Sequence, residues 1–207
     1  MRGLYLVTDR GLCGKKSLEE VIYLGVKGGV SYVQLREKEI STRLFAEEAK
    51  RIKKILEPFN VPLIINDRVD VALACGAEGV HIGQEDMPCE NVRKIMGQKA
   101  IIGLSVETWG DVEASQKLDV SYIGVSPVFS TPTKKDTKGV WGLEGLTRIK
   151  NFSRHPLVAI GGINESNIQE VVNAGAQCVA VVSAICASSN PEESSRRLNK
   201  IINSAFK

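Results

Sequence analysis

Long apolar runs are missing from this 207-residue sequence: no segment approaches the roughly eighteen consecutive apolar residues that a membrane-spanning helix needs. The opening MRGLYLVTDR passes straight into a strand-like run, with no secretion-signal pattern. A cytoplasmic location with no membrane association is therefore expected. Histidine is scarce, with only His81 and His155, and the five cysteines (Cys13, Cys75, Cys89, Cys178, Cys186) form no CxxC pair. An odd, scattered set, partly in apolar and helical surroundings, argues against a disulfide framework or zinc site and for small buried thiols. Charge of one sign is scarce too. The net charge is +3, and the basic residues are spread over helix faces instead of gathering with aromatics, so no nucleic-acid partner is expected. What remains, 43% hydrophobic and 25% charged residues, is ordinary for a soluble globular chain, and one domain over residues 1–207 is the simplest expectation.

The chain alternates short β-branched apolar runs with longer segments of helical period. LYLVTD, YVQLRE, PLIIN, GVHIG, AIIGLS, YIGVSP, LVAIGG and CVAVVS are the expected strands. Between them lie SLEEVIYLGVKGG, TRLFAEEAKRIKKILEPF, DRVDVALACG, CENVRKIMG, TWGDVEASQKLD, LEGLTRIKNF and ESNIQEVVNAG, and PEESSRRLNKIINSAF closes the chain. Such alternation implies parallel pairing, and eight units imply an α/β fold closed as a (β/α)8 TIM barrel. A doubly wound open sheet is the rival, since barrels typically take about 250 residues.

Chemistry in a barrel sits at the carboxyl ends of the strands, and polar residues collect there along this sequence. They are Asp9 and Arg10, then Gln34, Arg36, Glu37 and Lys38, then Asn66, Asp67 and Arg68, then Gln84, Glu85 and Asp86, with Ser105 and Glu107 further on. Asp67 and Asp86 leave neighbouring strands and suit one hard cation, magnesium being usually held by one or two carboxylates, water and phosphate oxygens. Taken singly, Asp67 also suits a helix cap and Asp86 a turn. Arg36, Lys38, Lys134 and Lys135 would concentrate like charge unless a polyanion such as a diphosphate lay among them. A second phosphate-like site is expected where Gly161 and Gly162 follow strand seven and Ser183 follows strand eight, with hydroxyls from Thr131 and Thr133 in reach. His81, inside a strand, reads as a packing residue and not a general base, and His155 as structural. Residues 128–139 read VFSTPTKKDTKG; the loop between Phe129 and Trp141 is long for this fold, and a lid closing over the site is expected there.

The pieces YLVTDR, VQLREK, INDRVDVA, GVHIGQEDMP, IGLSV, GVSPVFSTPTKKD, GLEGL, VAIGGIN and VAVVSAI, in that order from Tyr5 to about Ile185, resemble the successive signatures of the thiamine-phosphate synthase family. The resemblance implies a transferase that joins a hydroxymethylpyrimidine diphosphate to a thiazole phosphate and releases pyrophosphate with Mg2+. It also implies small-molecule partners and, by family habit, a homodimer. It places the pyrimidine diphosphate on Gln34, Leu35, Arg36, Glu37, Lys38, Asn66, Ser105 and Lys134, of which Arg36, Lys38, Ser105 and Lys134 would be catalytic. Asp67 and Asp86 match the metal ligands. Thr131, Pro132, Thr133, Gly162, Val182 and Ser183 match the thiazole phosphate site. Glu107 and the KGVWGLE approach to the next helix depart from the pattern. The rival readings are a thiazole tautomerase of the same superfamily, which should not need the diphosphate residues, and a non-catalytic binder of thiamine precursors.

Overall fold

Strands that are apolar on both faces must be covered on both, and in the computed structural model, which describes residues 1–131 and 139–206, they are. Among the described residues the chain runs β1 (Gly3–Val7), α1 (Leu18–Lys27), β2 (Val30–Leu35), α2 (Thr42–Leu56), β3 (Leu63–Asn66), α3 (Val69–Cys75), β4 (Gly79–Ile82) and α4 (Cys89–Met96). It continues with β5 (Ile101–Val106), α5 (Trp109–Ser115), β6 (Tyr122–Val125), α6 (Gly142–Phe152), β7 (Leu157–Ala159), α7 (Ile168–Asn173), β8 (Cys178–Val181), α8 (Ser183–Cys186) and α9 (Pro191–Ala205). The strands pair in parallel in sequence order, and β8 returns to β1 with Gly3 opposite Cys178, closing the barrel. The expected TIM barrel is thus observed and the open sheet is not. The expected lid, with Pro132, Thr133, Lys134 and Lys135, falls largely outside the described residues.

Two apolar layers hold the barrel. Outward strand residues such as Leu4, Leu6, Val33, Leu35, Ile65 and Val80 pack against the helices, while Tyr5, Val7, Ile64, Tyr122, Val158, Cys178 and Ala180 meet inside it. Local signals set the helix starts: the Ser17 and Ser41 hydroxyls accept N–H bonds from Glu20 and Leu44, and Thr108 and Asp111 form a reciprocal capping box. The helix expected to run on from Thr108 stops at Ser115. There the Ser115 hydroxyl (2.7 Å) and the Gln116 amide (2.9 Å) both donate to the Val112 carbonyl, side chains competing with the backbone for one acceptor. All five cysteines are buried free thiols. Among the described residues no helix is long and apolar enough to cross a membrane.

Candidate active site

The carboxyl ends of the strands surround a cavity of about 740 Å³, within the range usual for small-molecule sites. On one side Lys38, just beyond β2, donates from Nζ to Asp67 Oδ2 at 2.7 Å. Asp67 follows β3 with a left-handed backbone, φ 61°, held by its N–H on the His81 carbonyl at 2.8 Å. The N-cap of α3 is Arg68, without a side-chain cap bond, so Asp67 is not the helix cap that its position also suggested. Asp86 Oδ2 accepts from Gly83 N at 2.7 Å. Burial first, and then the neighbouring Asp67 carboxylate, raise Asp86 from the ordinary aspartate value, against the Gly83 N–H that lowers it. Two mutually repelling, partly dehydrated carboxylates make an all-oxygen donor pair. That fits a hard cation completed by water and phosphate oxygens, and among the described residues no group of three or more His, Cys, Asp or Glu is placed to hold a metal.

Gln34, Arg36, Asn66, Ser105, Thr131, Gly162, Val182 and Ser183 also line the cavity. The Arg36 backbone is fixed by its N–H on the Thr8 hydroxyl at 3.0 Å. Two residues expected on the diphosphate do not line the cavity. Leu35 is wholly buried between barrel and helices, because alternation along β2 turns it away from Gln34. Glu37 pairs with Arg10 at 3.0 Å, and Arg10 also bonds the buried Glu48. Burial raises the Glu37 carboxyl despite the guanidinium beside it.

Across the mouth, Gly161 and Gly162 leave β7 with φ values of 104° and 66°. A Cβ on Gly162 would stand 2.7 Å from the Ser130 carbonyl oxygen and 2.8 Å from Phe129 Cβ, so glycine is required there for the approach of the β6 loop as well as for its backbone conformation. Backbone bonds from Val128 N to Ile160 O (2.9 Å) and Phe129 N to Gly161 O (3.0 Å) hold that loop against β7. Val182, Ser183 and Ala184, at the start of α8, complete this side. Pro132, Thr133 and Lys134 lie outside the described residues.

Sequence reasoning missed the floor. Tyr5, Tyr122 and Thr8 line the cavity, and so does His81, which was read as packing. His81 does stack on Tyr122, with ring centroids 5.5 Å apart, but both its ring nitrogens face polar partners, Tyr122 and Ser105. The signal available was strand parity: Tyr5 is two residues from Val7, and Tyr122 two from Gly124, all on inward positions. His155 lies elsewhere, buried with Nε2 at 2.9 Å from the Ser115 carbonyl.

A family model described as thiamine monophosphate synthase matches residues 4–185. The chain is 52% identical over 199 residues to a thiamine-phosphate synthase of Albidiferax ferrireducens, covering 96% of this chain and 91% of that one. It is 54% identical over 197 residues to one from Leptospira biflexa, covering 93% and 94%. Among solved structures it resembles a thiamine phosphate pyrophosphorylase from Pyrococcus furiosus, with a TM-score of 0.91 and 36% identity over 99% of this chain and 97% of that one.

Proposed function

This chain belongs to the thiamine-phosphate synthase family, and from that footing we propose that its barrel mouth couples 4-amino-2-methyl-5-(diphosphooxymethyl)pyrimidine with 4-methyl-5-(2-phosphooxyethyl)thiazole, or its carboxylated form. The products are thiamine phosphate and pyrophosphate. The supporting observation is that one cavity carries cationic and carboxylate groups, Arg36, Lys38, Asp67 and Asp86, on one side and the glycine-rich β7 end with the start of α8 on the other. That arrangement suits a diphosphate and a monophosphate held at once.

In this reading Asp67 and Asp86 hold Mg2+, which when bound supplies electrostatic stabilisation of the diphosphate. Lys38, released from Asp67, together with Arg36 and Lys134, offsets the negative charge that grows as the methylene C–O bond breaks. Gln34, Asn66 and Ser105 orient the pyrimidine diphosphate. Thr131, Pro132, Thr133, Gly162, Val182 and Ser183 hold the thiazole phosphate and aim the ring nitrogen at the methylene carbon. The C–O electron pair leaves with pyrophosphate, the aminopyrimidine ring spreads the positive charge on its methylene, and the thiazole nitrogen then forms the new C–N bond. No side-chain nucleophile is needed, and none of the cysteines lines the cavity. A cytoplasmic location and a homodimer belong to the same reading.

The test is incubation with both substrates and Mg2+, with each omitted in turn. Thiamine phosphate should form only in the complete mixture. A tautomerase would instead rearrange the thiazole phosphate alone, and a binder would retain both compounds unchanged.

A further inference from the structure

Beneath the cavity runs an unbroken chain of side-chain hydrogen bonds across the barrel. Gln34 Nε2 donates to Tyr5 Oη at 3.0 Å, and Tyr5 Oη meets Tyr122 Oη at 3.0 Å. Tyr122 Oη meets His81 Nδ1 at 2.9 Å, and His81 Nε2 meets Ser105 Oγ at 2.8 Å. The chain joins β2, β1, β6, β4 and β5, and both its ends line the cavity. Tyr5 and Tyr122 are 1% and 0% exposed, and burial raises both phenols above their ordinary value, which keeps them protonated.

Each phenol has one proton to donate, and a buried O–H left without an acceptor is costly, so the row has two coherent directions. With the Gln34 amide nitrogen on Tyr5, Tyr5 has accepted and so donates to Tyr122, and Tyr122 donates to His81 Nδ1. A ring nitrogen that accepts leaves the proton on the other, so His81 carries it on Nε2 and donates to Ser105. The Ser105 hydroxyl proton is then left to point into the cavity. In the opposite direction Ser105 would donate to His81 and turn its lone pairs on whatever lies above, an arrangement that repels an anion. The barrel is built around this chain: a Cβ on Gly103 would stand 2.1 Å from Tyr122 Cζ and 2.5 Å from His81 Nδ1, and one on Gly124 3.0 Å from His81 Cε1.

We propose that Tyr5, Tyr122 and His81 are positioning residues that fix His81 as its Nε2–H tautomer, and thereby make Ser105 an obligatory hydrogen-bond donor to the anionic substrate. The catalytic consequence rests on the synthase reading above; the tautomer does not.

Two measurements test the proposal. Nitrogen-15 NMR of the imidazoles, with the two histidines distinguished by a His155→Gln variant, should show neutral His81 with its proton on Nε2 and a bare, accepting Nδ1. An Nδ1–H tautomer or an imidazolium would overturn the proposal, and this result needs no active enzyme. In coupling assays Tyr122→Phe, which removes the donor to Nδ1, should lower kcat/KM for the pyrimidine diphosphate about tenfold, the scale of one lost hydrogen bond. Combined with Ser105→Ala it should cost nothing beyond Ser105→Ala alone, since groups acting as one unit are not additive. Multiplying effects would show Tyr122 acting independently of Ser105 and refute the relay. If Tyr122→Phe fails to fold, the wild-type spectrum still decides the tautomer. If wild-type protein makes no thiamine phosphate, the activity reading fails while the tautomer result stands.

Discussion

Asp67 combines two features seldom found together on one residue: a left-handed backbone at φ 61° and a carboxylate shared between an ammonium and a neighbouring acid. Aspartate and asparagine tolerate that conformation better than other residues with a Cβ, so Asp67→Asn removes the charge while keeping the turn. We expect Asp67→Asn and Asp86→Asn each to raise the Mg2+ concentration needed for half-maximal coupling and to cut its rate on the order of 10²-fold, as losing one preorganised electrostatic contact does. Thiazole phosphate binding should be nearly unchanged. Wild-type turnover across a magnesium titration in either variant would refute the two-carboxylate assignment. Gly103 makes a second prediction. Its missing side chain makes room for Tyr122 and His81, so Gly103→Ala should lower stability by about 1–3 kcal/mol through overpacking. A urea titration checks this, and unaltered stability would mean that the ring pair gives way at no cost.

Among the elements, α5 and β7 are joined by His155, which is 8% exposed and bonded to the Ser115 carbonyl at the end of α5. Burial pulls its imidazole below the ordinary value, outweighing the carbonyl acceptors that raise it. The unfolded chain therefore binds this proton more readily than the folded one. The stabilising contribution is fully present above the unfolded pKa of about 6.5 and is lost as pH falls from there toward the folded value. Urea titrations of wild type and His155→Gln should diverge in pH slope just below that value, with only the wild type losing this increment of stability; parallel slopes would contradict it. Element identity was legible in the sequence because β-branched runs and helical periods alternate with little ambiguity. Helix ends were less so. The stop at Ser115 depends on side chains competing for one carbonyl, and the four-residue α8 is too short to carry a period.

At the scale of the molecule, barrel closure turns a linear list of strand-end residues into one cavity, so that Gln34, Lys38, Asn66, Asp67, Asp86 and Ser105, far apart in the sequence, line it together. The family resemblance implied Leu35 and Glu37 beside them, but strand alternation and the pull of Arg10 take these two side chains elsewhere. Tyr5, Tyr122 and His81 went unrecognised as a polar floor because apolar-looking strands conceal which inward groups meet across a barrel, a fact fixed only by the register of the strands that carry them. The proposed coupling requires one mouth that holds two anions on opposite sides. The most direct measurement is calorimetric titration of each substrate, with Mg2+ present, into wild-type protein and Lys38→Ala. Lys38→Ala should bind the pyrimidine diphosphate about tenfold more weakly, the scale of one charge-assisted hydrogen bond, and the thiazole phosphate as wild type does; equal weakening of both, or of neither, would contradict the proposed coupling.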